Sequence, residues 1–199
     1  MKKLIFTCCL LAAVAAKGQG YNIHIGDSSF DVEMGQTYQV LINGKPVNIK
    51  LTQSDTLKYD DDLFSFLYSK EFKISETSLG SSSKQITLLT AEGSGIIIQK
   101  HNTLNPTHLN GMLLDELTKK NIAYGYEEKR SDYKRTLRSG QTVEVNRSVL
   151  TYKDKVYNYE VASLGNKDSG IIVITLLMSR EKTRGQKIID LLWDSLVFK

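Results

Sequence analysis

The chain has 199 residues, 41% hydrophobic and 24% charged, with 14 Gly and 2 Pro. That length suits one domain or two small ones, and the composition excludes collagen-like, low-complexity and wholly disordered chains. With 26 Lys and Arg against 22 Asp and Glu, the net charge of +4 opens a nucleic-acid or membrane-surface reading.

Lys2 and Lys3 precede an apolar run over residues 4–16 and the small polar stretch Lys17-Gly18-Gln19-Gly20. A charged start, a short apolar middle and small residues before a cut define a secretory signal peptide. The run is too short for a bilayer span, which needs roughly 20 residues. We expect residues 1–18 to be removed and the mature protein to be secreted or periplasmic. Cys8 and Cys9 are the 2 cysteines of the chain, so the mature protein forms no disulfide. Acylation of one of them as a lipoprotein anchor is the competing reading, disfavoured because most of the apolar run follows them. Removal also takes away Lys2, Lys3 and Lys17 and no acid, leaving 23 basic against 22 acidic residues. A nucleic-acid-binding domain keeps a strong positive field after processing. Neither nucleic acid nor a membrane span is therefore expected.

Residues 38–42, Asn43-Gly44 and residues 45–51 read as a hairpin with a tight type I′ turn. Pro46 marks an edge strand, and Val47, Ile49 and Leu51 alternate with polar residues as one buried face. Residues 63–68 predict a strand with Phe64, Phe66 and Tyr68 on one face, and residues 72–74 a second. Asp60-Asp61-Asp62 lacks the spacing of a calcium loop and reads as a solvated turn. Residues 78–83 are a Ser-rich loop, and residues 85–89 and 95–99 are strands. Gly93-Ser94-Gly95 between them lacks the spacing of a phosphate loop and reads as a plain turn.

Residues 108–120 predict a helix with Leu109, Met112, Leu113 and Leu117 as its apolar stripe. A long meander follows over 123–177, with turns at Ser139-Gly140 and Lys153-Asp154 and strands over 141–152 and 156–162. Residues 170–177 (GIIVITLL) are nearly all apolar and rich in β-branched residues, the mark of a strand covered on both faces at the sheet centre. Thr183-x-x-Gln186 is a capping-box pattern opening a second helix over 184–194, which buries Ile188, Ile189, Leu192 and Trp193. A short strand closes the chain over 195–198.

Tyr59 with Phe64-Ser65-Phe66-Leu67-Tyr68-Ser69-x-x-Phe72, the single middle helix, the long hairpins and the closing Ile189-x-x-Leu192-x-x-Ser195-Leu196-Val197-Phe198 resemble the Mog1/PsbP-like family. Ser69 stands where that family has Pro. The resemblance spans residues 59–198 and implies an α+β fold: an antiparallel β-sheet flanked by two main helices, here with an extra N-terminal β-hairpin. The expected organisation is a signal peptide over 1–18, a hairpin segment over 19–58 and the α+β domain over 59–199. Family members are photosystem accessory subunits, a small-GTPase release factor, envelope lipoproteins and effector chaperones, so the resemblance implies a non-enzymatic binding role.

Little reactive chemistry is visible. The mature chain has no Cys and no Gly-x-Ser-x-Gly elbow. Ser81-x-x-Lys84 and Ser179-x-x-Lys182 have the spacing by which an amine deprotonates a serine, but Lys182-Thr183-Arg184 lacks the Gly of the partner motif. His24, His101 and His108 do not supply the three or four converging ligands of a zinc site. No catalytic residue, metal or cofactor is expected. Lys129, Arg130, Lys134, Arg135 and Arg138 interleave with Tyr124, Tyr126 and Tyr133, a mixture enriched at binding hot spots. Tyr126, Lys129, Arg130, Tyr133, Lys134, Arg135 and Arg138 are the candidate contact residues. Acids interrupt the run, and a solvated hairpin face is the plainer reading of it. The sequence thus points to an exported accessory protein that binds a protein or envelope component. A periplasmic immunity protein that neutralises a delivered toxin, and an envelope hydrolase with an unrecognised site, are the alternatives.

Overall fold

The computed structural model describes residues 20–199; the expected signal peptide lies outside them. Two compact units divide after Ser54, four residues before the boundary expected from sequence.

The first unit holds two hairpins. β1 (Gly20–Ile25) pairs with β2 (Ser28–Glu33), and β3 (Thr37–Ile42) pairs with β4 (Lys45–Lys50). Asn43 and Gly44 have φ of 51° and 74°, the two positive values that a type I′ turn demands and that Asn-Gly adopts readily. The Gly35 N–H donates to the Leu51 carbonyl at 2.8 Å and the Glu33 N–H to the Tyr38 hydroxyl at 2.9 Å, tying the two hairpins together. Val32 and Val40 are buried, whereas Val47 is exposed. The expected buried face of β4 is therefore incomplete, because a two-stranded ribbon cannot cover its own apolar side.

The second unit is three-layered. Its middle is a seven-stranded sheet in the order β10-β11-β12-β13-β9-β8-β7, antiparallel throughout. The strands are β7 (Ser75–Ser78), β8 (Ser83–Leu89), β9 (Gly95–His101), β10 (Glu127–Thr136), β11 (Thr142–Tyr152), β12 (Lys155–Gly165) and β13 (Gly170–Met178). β13 occupies the central position, as its unbroken apolar run predicts. Ile171 and Val173 point into one core and Ile172 and Ile174 into the other, the period-two alternation of a strand covered on both sides.

One face carries α2 (Lys182–Ser195) and a three-stranded sheet of β5 (Thr56–Asp60), β6 (Phe64–Ser69) and β14 (Val197–Phe198). Phe64, Phe66, Ile188, Ile189, Leu192 and Trp193 fill that side with Ile86, Leu88, Ile96 and Ile98 of the large sheet. α2 begins at Lys182, one residue ahead of Thr183, so the expected capping box does not form. Gln186 instead donates to Asp190 at 2.8 Å one turn on. Residues 72–74 are not a strand either: the Phe72 N–H bonds back to the Ser69 carbonyl at 3.1 Å, closing a turn.

The other face carries α1 (Asn110–Ala123). Its buried line is Asn110, Leu114 and Thr118, while Met112, expected in the stripe, is 61% exposed. Two of the three buried residues are polar, and each is satisfied internally. Thr118 donates to the Leu114 carbonyl at 3.0 Å; Asn110 donates to the Glu144 carbonyl at 3.2 Å and accepts from Ser163. Leu109, Leu113 and Leu117 of the expected stripe do pack, partly buried, against this core, and hydrophobicity alone misses the polar residues at its centre.

Asp60-Asp61-Asp62, expected to be a solvated turn, instead anchors the small sheet to the large one. The Asp61 carboxylate is 8% exposed and meets Lys100 of β9 and Lys84 of β8 at 2.7 Å each. Asp62 also pairs with Lys100. Buried ammonium groups need such partners, since an unpaired charge in the interior is costly.

Candidate functional site

The basic-aromatic segment forms β10, the edge strand next to β11, and period-two alternation splits it between the two faces of the sheet. On the α1 side, Arg130 is spent on Asp115 at 2.5 Å and Glu128 at 2.7 Å, and Lys134 lies 3.7 Å from Glu144. Tyr126 sits in a tyrosine cluster, its ring 5.2 Å from those of both Tyr152 and Tyr157. The hydrogen bond with Tyr157, with burial adding to it, pushes the Tyr126 phenol up to about 12.

On the α2 side, the Arg135 guanidinium lies 4.8 Å over the Trp193 ring and donates to the Tyr133 hydroxyl at 3.2 Å. Tyr133 donates to the buried Glu160 at 2.8 Å. Burial raises the Tyr133 phenol further than Arg135 lowers it, so it remains a neutral donor. Thr175 donates to the second Glu160 oxygen at 3.3 Å. Lys129 pairs with Val149 in the ladder and stands on this same face. Arg138 is exposed in the β10–β11 turn. The seven candidate residues therefore do not form one surface: Lys129, Tyr133 and Arg135 share the α2 face, Tyr126, Arg130 and Lys134 the opposite one.

The network around Glu160 leads to residues that the sequence reading did not single out. Arg147 of β11 lies opposite Glu160, with its Nε 3.9 Å from the Glu160 carboxylate and donating to Asn158 at 3.0 Å. Arg147 and Asn158 form one wall of a cleft of about 350 Å³, with Lys182 and Gln186 from the start of α2 and an apolar lining of Val149, Val156 and Leu177. Lys182 makes no ion pair with the described residues. The cleft thus sets two cations above an apolar floor, with Glu160 satisfied behind them. That arrangement suits a partly apolar group carrying negative charge.

Lys84 and His101, which the sequence offers as possible bases, are held in structural bonds. Burial opposes the charge of Lys84, but hydrogen bonds to Asp61 and Tyr59 outweigh it and hold the ammonium above its ordinary value, so Lys84 cannot serve Ser81 as a base. Ser83 and His101 pair across β8 and β9 with Oγ and Nδ1 2.9 Å apart. His101 Nε2 is buried with no partner, and burial lowers the ring's pKa. A serine-activating histidine needs its second nitrogen oriented by an acceptor, which this one lacks. Among the described residues no group of three or more His, Cys, Asp or Glu converges as a metal site would. No helix among them is long and apolar enough to cross a membrane.

The layers, strand order and helix placement define an α+β sandwich of PsbP-like fold. The chain is similar to the solution structure of cyanobacterial PsbP (CyanoP) from Synechocystis sp. PCC 6803, with a TM-score of 0.51 and 11% sequence identity, over 73% of this chain and 93% of that one. No family model matches the sequence, and no curated protein matches it.

Proposed function

We propose that the chain is an exported, non-enzymatic accessory protein of the cell envelope that binds an acidic protein or envelope component at the cleft beside α2. The observation that carries this reading is the placement of Arg147 and Lys182 over Val149, Val156 and Leu177. Charge at the rim with apolar area beneath is the composition of a binding patch, where the charges set orientation and association rate. The charged start and apolar run of residues 2–16 support export. The PsbP-like fold supports an accessory role by analogy.

Arg147→Ala with Lys182→Ala removes the cleft's two cations. Capture of partners from an envelope extract should fall about tenfold in this variant and fall likewise with added salt. Arg130→Ala, a change on the opposite face, should leave capture unaltered. Undiminished capture by the Arg147→Ala, Lys182→Ala protein refutes the assignment.

A further inference from the structure

A second cavity, of about 370 Å³, opens on the α1 face at the same end of the sheet, lined by Asn121, Tyr157, Tyr159, Lys155, Arg180 and Glu92 among others. Its aromatic residues are packed from behind by a series of rings outside the cavity. Tyr157 stacks on Tyr126 with ring centres 5.2 Å apart, Tyr126 packs on Tyr152 and Tyr152 on Tyr124, and Asn121 donates to the Tyr159 hydroxyl at 3.0 Å. Tyr124, at the outer end of this series, is 71% exposed. Lys155 and Arg180 make no ion pair with the described residues, although the mature chain is nearly neutral. The cavity therefore combines the partly exposed Tyr157 ring, an amide, a carboxylate acceptor and two cations that have no ion pair among the described residues. Aromatic rings stack against the C–H faces of pyranose rings, an amide donates to and accepts from hydroxyls, a carboxylate accepts from them, and cations pair with an acidic substituent.

We propose that this cavity binds an acidic oligosaccharide: the Tyr157 ring takes a sugar face, Asn121 and Glu92 the hydroxyls, and Lys155 and Arg180 the carboxylate or sulfate. An acidic peptide would use the cations and leave the Tyr157 ring and the Glu92 acceptor without a role. The site is separate from the cleft beside α2 in its charged residues, so the two assignments fail independently.

Calorimetric titration of the chain with trigalacturonic acid, with maltotriose as the neutral counterpart and hexaglutamate as the peptide counterpart, tests the proposal. Trigalacturonic acid should bind at least about tenfold more tightly than either. Lys155→Ala with Arg180→Ala should bring the two sugars within about threefold of each other, and Tyr157→Ala should abolish both. Should Tyr157→Ala lose its cooperative melt, Glu92→Ala replaces it and should weaken both sugars. Arg147→Ala with Lys182→Ala should leave the affinity within about twofold. No heat with trigalacturonic acid, equal affinity for maltotriose, or tighter binding of hexaglutamate overturns the proposal.

Discussion

Asp61→Asn is the most informative single change for the fold, because it leaves Lys100 buried with its buried carboxylate partner neutralised. Lys100 and Asp61 are both nearly inaccessible and 2.7 Å apart. Breaking a buried ion pair from one side costs about 3–5 kcal/mol. Asp62 stays beside Lys100, so the low end, about 3 kcal/mol, is expected. For a unit of this size that is roughly 6–12 °C in Tm. The assay is equilibrium unfolding in urea followed by the fluorescence of Trp193, the 1 Trp of the chain, which lies in the core beside α2. Asp61→Asn with Lys100→Met removes the stranded charge as well. The double variant should be more stable than the sum of the two single losses implies, by about 1–3 kcal/mol. A loss below about 1 kcal/mol for Asp61→Asn, or strict additivity in the cycle, would refute the buried-pair argument. The same pair predicts the acid limb of stability. Burial alone would raise the Asp61 carboxyl, but hydrogen bonds with Asp62, Lys100, Lys84 and the Leu63 N–H hold it well below the ordinary carboxylate range. A group depressed in the folded state contributes fully above its unfolded value of about 3.9 and loses that contribution as pH falls below it. Stability of the parent should therefore drop steeply below about pH 4, and Asp61→Asn should flatten that drop.

Two further changes test the packing beneath the candidate cleft, alongside the binding experiments given above. A Cβ on Gly185 would press on Ser94 and come within 3.1 Å of Leu177 Cδ1. Gly185→Ala should thus cost about 1–3 kcal/mol in thermal or urea unfolding, although Ala in an open helix position gains about 1 kcal/mol over Gly; a stabilised variant would show that α2 does not sit this close. Tyr133→Phe removes the donor to Glu160 while keeping the ring, so the same measurement should show a loss of about 1–3 kcal/mol. Stability within about 0.5 kcal/mol of the parent would mean that Glu160 does not depend on that bond.

How far the sequence could be read depended on how local the deciding interaction is. β13 was legible because its apolar run is a local property, and its central place follows from having two faces to cover. The Asn43-Gly44 turn was legible for the same reason. The anchor at Asp61 was not, because its partner Lys100 lies 39 residues along the chain and three adjacent acids carry no sign of what they will meet. Asn110 and Thr118 escaped notice because a buried polar residue is recognised only through its hydrogen-bond partners, and Asn110 finds its own on β11 and β12.

The candidate site shows how alternation, rather than proximity along the chain, locates function on a sheet. The cluster from Tyr124 to Arg138 draws attention because its charges and rings are adjacent, but adjacency on a strand places neighbours on opposite faces. Odd-numbered Lys129, Tyr133 and Arg135 belong with α2, and even-numbered Arg130 and Lys134 with α1. Applied to β11, the same rule sets Arg147 in line with Val143, Val145 and Val149, the apolar register. In β12 it sets Glu160 in line with Ala162 and Leu164. A charge in an apolar register position must be partnered, and the ladder places these two opposite each other. Arg147 is then the member of the pair with access to solvent, its side chain 40% exposed against 10% for Glu160. A guanidinium held in place from behind by a buried carboxylate and Asn158 is oriented before any ligand arrives, so little conformational freedom remains to be lost on binding. That fixed orientation, more than the local density of basic residues, is why the cleft beside α2 is the stronger candidate than the hairpin face.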